Sequence, residues 1–433
     1  IQSSLHKLSH LKKLSLSSYS CSSENQETLY GFVWPKFEML ESFSLYIGKI
    51  EHITNSYLEL VSKGARFLKP LKYFQFISDI DHENSDETPL TLLFDNLHGM
   101  AGVKTMDLQF KNRNYYHPSG SYLSSVGSFI WHMKPTSLSF MLSDHNEEAS
   151  RHFTHIIGAI FRLPDLIRLK MGLENVDKID INIPSLMKTI VQFKNLKALS
   201  LKIRTPELPD NEYGVMMDSI NHMKSLTSLT LDLDCPTKRA QVSKTLLESL
   251  EKFSQLERLK IFFYRGTQIC KEDVYRIALC MTRLSRLKSF HLTIPDPSSN
   301  FSLLAKGIPY MHDLETLDLH FGIETTLSRP ESCGPLIDSI SQLNHLKRLS
   351  LHFKTEEPAG KDLLKKAGED LSKMKQLVSL KFLWLATKKA STEKDKMLTI
   401  DQAEKLISLL PNLTSFIFQN GSTKIYFDHK SLL

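Results

Sequence analysis

The chain has 433 residues, 41% hydrophobic and 24% charged, with 54 Lys and Arg against 48 Asp and Glu and a formal charge of +6. Charges this evenly mixed describe a solvated surface and exclude a dense basic stripe of the kind that tracks nucleic acid. No apolar run reaches the roughly eighteen residues that a membrane-crossing helix needs, and five scattered cysteines (Cys21, Cys235, Cys270, Cys280, Cys333) without C-x-x-C or Cys/His spacing fit a reducing, intracellular and cytoplasmic setting.

In chain order, Ile1, Leu5 and Leu8 read as the end of a helix leading into a first strand. From Leu11 onward one strand pattern recurs, L-x-x-L-x-L followed by x and an apolar residue. Its starts are Leu11, Leu40, Leu71, Val103, Pro135, Leu166, Leu196, Leu226, Leu256, Leu287, Leu314, Leu346, Leu377 and Leu413. The thirteen steps from residue 11 to residue 413 average about 31 residues. The cleanest copies are Leu196-Lys-Ala-Leu199-Ser-Leu201, Leu226-Thr-Ser-Leu229-Thr-Leu231 and Leu346-Lys-Arg-Leu349-Ser-Leu351. Apolar residues at every second position predict a strand with one buried face.

Between the strands the period lengthens. Met217, Ile220 and Met223; Leu246, Leu247, Leu250 and Phe253; Leu336, Ile337, Ile340 and Leu343; and Ala403, Leu406, Ile407 and Leu410 follow the spacing of amphipathic helices. Strand then helix, repeated, predicts a parallel sheet with right-handed crossovers. The expected fold is α/β: a solenoid of about fourteen repeats of ~31 residues, with a curved parallel sheet on the concave side and helices on the convex side.

Polar insertions are expected as loops at 17–28, 78–88, 111–125, 354–361 and 386–396. Past Phe418, the segment Gly421-Ser-Thr-Lys-Ile-Tyr-Phe427 is expected to fold back on the last strand as a hairpin. Residues 1–433 are expected to form a single solenoid that lacks its natural N-terminal cap or a preceding domain, because no polar capping unit precedes the first repeat.

The L-x-x-L-x-L core and the helix-bearing units make the chain resemble the ribonuclease-inhibitor-like class of leucine-rich-repeat proteins, over essentially its whole length. It departs from that class at the Asn or Cys expected three residues after the last strand leucine. Tyr19, Gly48, Asp79, Lys111, Arg204, Asp234, Pro295, Gly322 and Lys354 stand there instead. The resemblance implies a non-enzymatic scaffold or adaptor that binds other proteins along its concave face and loops, as a subunit of a large assembly would. A second reading from the same resemblance is a substrate-recognition arm, ubiquitin-ligase receptor-like or GTPase-activating-like. The first form needs an adaptor-binding motif ahead of Ile1, and the second needs an exposed loop arginine.

The strand register names the inward-facing columns. One runs Ser15, Ser44, Gln75, Asp107, Ser139, Lys170, Ser200, Thr230, Lys260, His291, Asp318, Ser350, Lys381, Ile417. The next runs Ser17, Tyr46, Ile77, Gln109, Met141, Gly172, Lys202, Asp232, Phe262, Thr293, His320, His352, Leu383, Gln419. On these columns and the one before them, fifteen residues are candidates for protein binding. Tyr46, Tyr73, Met141 and Phe262 are the apolar anchors. Arg168, Lys170, Lys202, Arg258 and Lys260 form a basic group suited to an acidic partner, with Arg348 and Lys381 as further cations. His291, Asp318, His320 and His352 form a polar rib that also has the residue types of a metal site.

Phosphate-loop, dinucleotide, zinc-protease and nucleophile-elbow motifs are all absent. No catalytic, cofactor-binding or metal residue is assigned, no cofactor or small-molecule substrate is expected, and the partners expected are proteins rather than nucleic acid or membrane.

Overall fold

The computed structural model describes residues 10–18, 39–48, 64, 68, 71–80, 88–98, 100, 102–112, 122–143, 147–174, 183–204, 210–234, 247–263, 269–295, 300–322, 330–356, 359–386, 393–420 and 422–428. They fall in two compact units, Ile1–Glu207 and Leu208–Leu433. The expected helix end at Ile1, Leu5 and Leu8, together with Cys21 and Cys235, lies outside the described residues.

The first unit contains β1 (Lys13–Ser18), β2 (Ser42–Ile47), β3 (Tyr73–Ile80), α1 (Thr88–Leu97), β4 (Thr105–Asn112), α2 (Tyr122–Met133), β5 (Ser137–Ser143), α3 (Glu147–Phe161), β6 (Arg168–Glu174), α4 (Ile183–Val191) and β7 (Ala198–Arg204). Each strand pairs in parallel with the next. The register puts the repeat leucine, or its substitute, in one line: Leu16, Leu45, Phe76, Leu108, Phe140, Met171, Leu201. Burial alternates along β2 and β5, because successive side chains face opposite sides. The buried side meets the helices through aromatic rings. Phe76 packs on Phe94 of α1 at 5.0 Å, Phe110 on Tyr122 of α2 at 5.3 Å, and Phe140 on Phe153 of α3 at 5.9 Å.

The second unit follows the same plan. It contains α5 (Asp210–Asn221), β8 (Ser228–Asp234), β9 (Arg258–Phe263), α6 (Lys271–Arg283), β10 (Ser289–Ile294), α7 (Phe301–Gly307), β11 (Thr316–Phe321), α8 (Gly334–Ser341), β12 (Arg348–Thr355), α9 (Lys361–Leu371), β13 (Ser379–Ala386), α10 (Glu393–Leu409), β14 (Ser415–Asn420) and β15 (Thr423–Asp428). Leu231, Ile261, Leu292, Leu319, Leu351, Phe382 and Phe418 form its core line. Phe301 of α7 meets Phe321 edge-on at 5.1 Å, and Trp384 packs tilted 4.9 Å from Phe353. β15 pairs antiparallel with β14, the hairpin expected from residues 421–427.

Both units are leucine-rich-repeat arrays: one strand per repeat, all in register, with L-x-x-L-x-L leucines on the face that the helices cover. Where the family's asparagine ladder is missing, a different regularity holds the repeats in step. At each strand start one backbone carbonyl accepts two consecutive N–H groups of the next repeat. Lys72 O takes Lys104 and Thr105, Lys104 O takes Thr136 and Ser137, and Thr136 O takes Ile167 and Arg168. In the second unit Glu257 O, Lys288 O, Glu315 O, Lys347 O and Val378 O do the same. This ladder uses main-chain atoms alone, so it tolerates any side chain and leaves no consensus residue to read.

All five expected loops are shorter than the sequence suggests. β1, β3, β4, β12 and β13 run on through Ser17–Ser18, Ser78–Ile80, Lys111–Asn112, Lys354–Thr355 and Ala386. α2 begins at Tyr122, inside the expected 111–125 loop, because Tyr122, Leu123, Val126, Phe129, Ile130 and Met133 make one buried face. α10 likewise begins at Glu393, within the expected 386–396 loop.

Candidate functional site

The two columns read from the sequence stand as expected within each unit, on the sheet face opposite the helices. The first unit carries Tyr46, Tyr73, Met141, Arg168, Lys170 and Lys202. The second carries Arg258, Lys260, Phe262, His291, Asp318, His320, Arg348, His352 and Lys381. The basic group is therefore divided: Arg168, Lys170 and Lys202 lie on β6 and β7, Arg258 and Lys260 on β9. Arg168, Lys170, Arg258 and Lys260 are exposed.

The first unit's face is a polar lattice with aromatic edges. Tyr46 donates its hydroxyl to Asp79 Oδ2 at 3.1 Å. Gln75 Nε2 donates to Asp107 Oδ2 at 2.9 Å, and Gln109 Nε2 to the same carboxylate at 3.2 Å. Burial and the negative charge of Asp107 raise the Tyr73 hydroxyl above its usual pKa. Met141 does not stand up as a free anchor. It lies along the sheet over Gly172, filling the space a β-carbon there would need.

The second unit's face carries a file of rings. Phe262, His291, His320 and His352 sit on β9, β10, β11 and β12, with centroid separations of 4.5, 4.9 and 3.9 Å. The last pair is nearly parallel, 8° apart. Parallel strands about 4.8 Å apart bring planar side chains of neighbouring repeats to stacking distance without moving the backbone.

Asp318 lies at the centre of this file. It is paired with His291 across the β10–β11 register and precedes His320 by two residues on β11, so all three side chains share one face. Its Oδ2 accepts from His291 Nδ1 at 2.6 Å and its Oδ1 from His320 Nε2 at 2.7 Å. The second nitrogen of His291 reaches Thr293 Oγ1 at 3.2 Å. Burial works to raise the Asp318 pKa, but the two histidine hydrogen bonds outweigh it and hold the carboxyl well below the usual range. His352 differs. Burial, then the neighbouring His320 and Lys381, hold its imidazole down to about 3. Its Nε2 is buried and makes no hydrogen bond.

The imidazole and carboxylate atoms of His291, Asp318 and His320 lie within 4.8 Å of one another, the spacing of a metal ligand set. Thr293, 4% exposed, was in the second column but not among the candidate residues. Its position two residues past His291 on the same strand face was the available signal. Lys381 stands across from Ser350 and Ile417, and Arg348 donates Nε to Thr316 Oγ1 at 3.0 Å.

No protein-family model matches this chain, nor does any curated protein sequence. Among solved structures it is similar to the leucine-rich repeat-containing protein LegL7 from Legionella pneumophila, at 13% identity and a TM-score of 0.41, covering 76% of this chain and 97% of that one. It is also similar to a protein from Bacteroides fragilis, at 14% identity and a TM-score of 0.33, covering 56% of this chain and 66% of that one.

Proposed function

We propose that this chain is a non-enzymatic, intracellular scaffold that binds a partner protein on the open faces of its parallel sheets. The observation that carries the reading is the second unit's open face. There a file of neighbouring rings, Phe262, His291, His320 and His352, is flanked by the cations Arg258, Lys260, Arg348 and Lys381. Rings fixed by their neighbours lose little rotamer entropy on contact, and flanking cations add steering toward an acidic surface. An open sheet has area for a protein and no enclosing walls for small-molecule chemistry. Among the described residues no helix is long and apolar enough to cross a membrane.

The test is site-specific photocrosslinking in cell extract. A photoreactive phenylalanine at Phe262 or Lys260 is expected to trap a discrete protein, and charge reversal at Arg258 and Arg348 is expected to abolish the adduct. Trapping only from the helix-side positions Tyr275 and Tyr310, both exposed, overturns the assignment of the sheet face.

A further inference from the structure

The rib of histidines, a polar surface feature on the sequence pattern alone, has the geometry of a coordination site. We propose that His291, Asp318 and His320 bind a divalent transition-metal ion of the zinc type, at a three-ligand site with a fourth position open to solvent.

Ligand type argues for this class of ion. Two imidazoles and one carboxylate suit zinc and its first-row neighbours, whereas calcium and magnesium select all-oxygen shells. The backbone already fixes the three positions. Asp318 and His320 alternate along β11, and His291 lies across the sheet from Asp318. The carboxylate now bridges the two imidazoles at 2.6 and 2.7 Å. Tetrahedral zinc with bonds of about 2.0–2.1 Å sets its ligand atoms roughly 3.3 Å apart. One ligand atom from each residue already lies within 4.8 Å of the other two, so modest side-chain rotation brings one carboxylate oxygen and the two ring nitrogens to that spacing.

Proton bookkeeping closes as well. Asp318 stays ionised. An imidazole that ligates a metal through one nitrogen carries its single proton on the other. On His291 the proton then sits on Nε2, where Thr293 Oγ1 stands 3.2 Å away to accept it. On His320 it sits on Nδ1. A ligating imidazole whose other nitrogen donates to a fixed oxygen is held in the right tautomer and orientation. Thr293 supplies that oxygen from a buried position. His320 is held between two rings, at 4.9 Å from His291 and 3.9 Å from His352. The three ligand side chains keep 12%, 29% and 19% of their surface exposed, enough for an ion to enter from the open face.

The site goes beyond the protein-binding reading and is tested without any partner. The full chain, stripped with a chelator, is titrated with zinc by calorimetry and with cobalt(II) by visible absorption. One ion per chain is expected, with the d–d bands of a four-coordinate cobalt centre. Asp318→Asn and His320→Gln are each expected to weaken binding by at least about tenfold, and Thr293→Val by about tenfold with stoichiometry unchanged. His345→Gln, at an exposed histidine outside the rib, should bind as the wild type does. Circular dichroism of Asp318→Asn, the most conservative change, shows whether the fold is intact. The chain has 17 histidines, so zinc binding that Asp318→Asn and His320→Gln leave unchanged overturns the proposal, as does the absence of binding by the wild type.

Discussion

His352 is held in the sheet as a neutral ring, and that has a cost on acidification. In the unfolded chain it takes a proton near its ordinary value of 6.5, while in the folded sheet it does so only near 3. Between those values the unfolded state binds more protons, so stability falls as pH drops through that window. Asp318 acts in the same direction at lower pH: its carboxyl stays ionised in the fold below the ordinary 3.8, and the stability this gives is lost as pH falls through its folded value. His352→Phe keeps the stacked ring and removes the titration. With a chelator present, the wild type is expected to lose about 1–2 kcal/mol more than this variant between about pH 7 and about 4.5 in urea denaturation, after allowance for partial exposure. Equal losses would contradict the neutral assignment. Cys280 is the opposite case. Burial pushes its thiol up to about 12, and Sγ donates to Leu247 O at 3.0 Å. Iodoacetamide should leave it unmodified in the native protein and label it in denaturant, as read by peptide mass spectrometry. Neither behaviour was legible in the sequence. The columns named His352 and its neighbours, but whether a ring on an open face is solvated or shielded depends on the rings packed beside it.

At the scale of elements, the repeats were legible because one strand residue in two is apolar at a steady period, and the strands β1 to β14 each start two residues after a predicted repeat start, as β7 does after Leu196 and β12 after Leu346. The loops were less so. Tyr122 and Ser125 read as polar insertion, yet Tyr122 begins α2 with its ring under Phe110. The missing asparagine ladder is partly answered by Asn420 at the end of β14. Its side chain is 3% exposed and its Oδ1 accepts from the backbone N–H of Ala359, ahead of α9, at 2.8 Å. Because the two groups are 61 residues apart, one amide ties the last repeats together. Asn420→Ala leaves a buried N–H without its acceptor and is expected to destabilise the chain by about 1–3 kcal/mol in urea denaturation. Asn420→Asp retains the acceptor oxygens but places a charge where 3% is exposed, so it should also destabilise. A wild-type midpoint in both variants would show that the bond contributes nothing.

Across the molecule, a stack in which each repeat touches its neighbours stores its stability as local terms rather than in one shared core. The consequence is that a defect should weaken the repeats beside it and be silent farther away. Gly307 provides the probe. It closes α7 against α6, and a β-carbon there would fall 2.6 Å from the carbonyl oxygen of Ala278 and 2.8 Å from its Cα. These are backbone atoms of a helix, so the clash is relieved only by moving α7 away from α6. Gly307→Ala should cost about 1–3 kcal/mol by overpacking. Hydrogen exchange then locates the loss. Amides of β10, β11 and α6, which flank the displaced helix, are expected to exchange faster, while β2 to β5 in the first unit keep their wild-type protection. Faster exchange spread evenly over both units would mean that the chain unfolds as one cooperative body, and the nearest-neighbour account of its stability would be wrong.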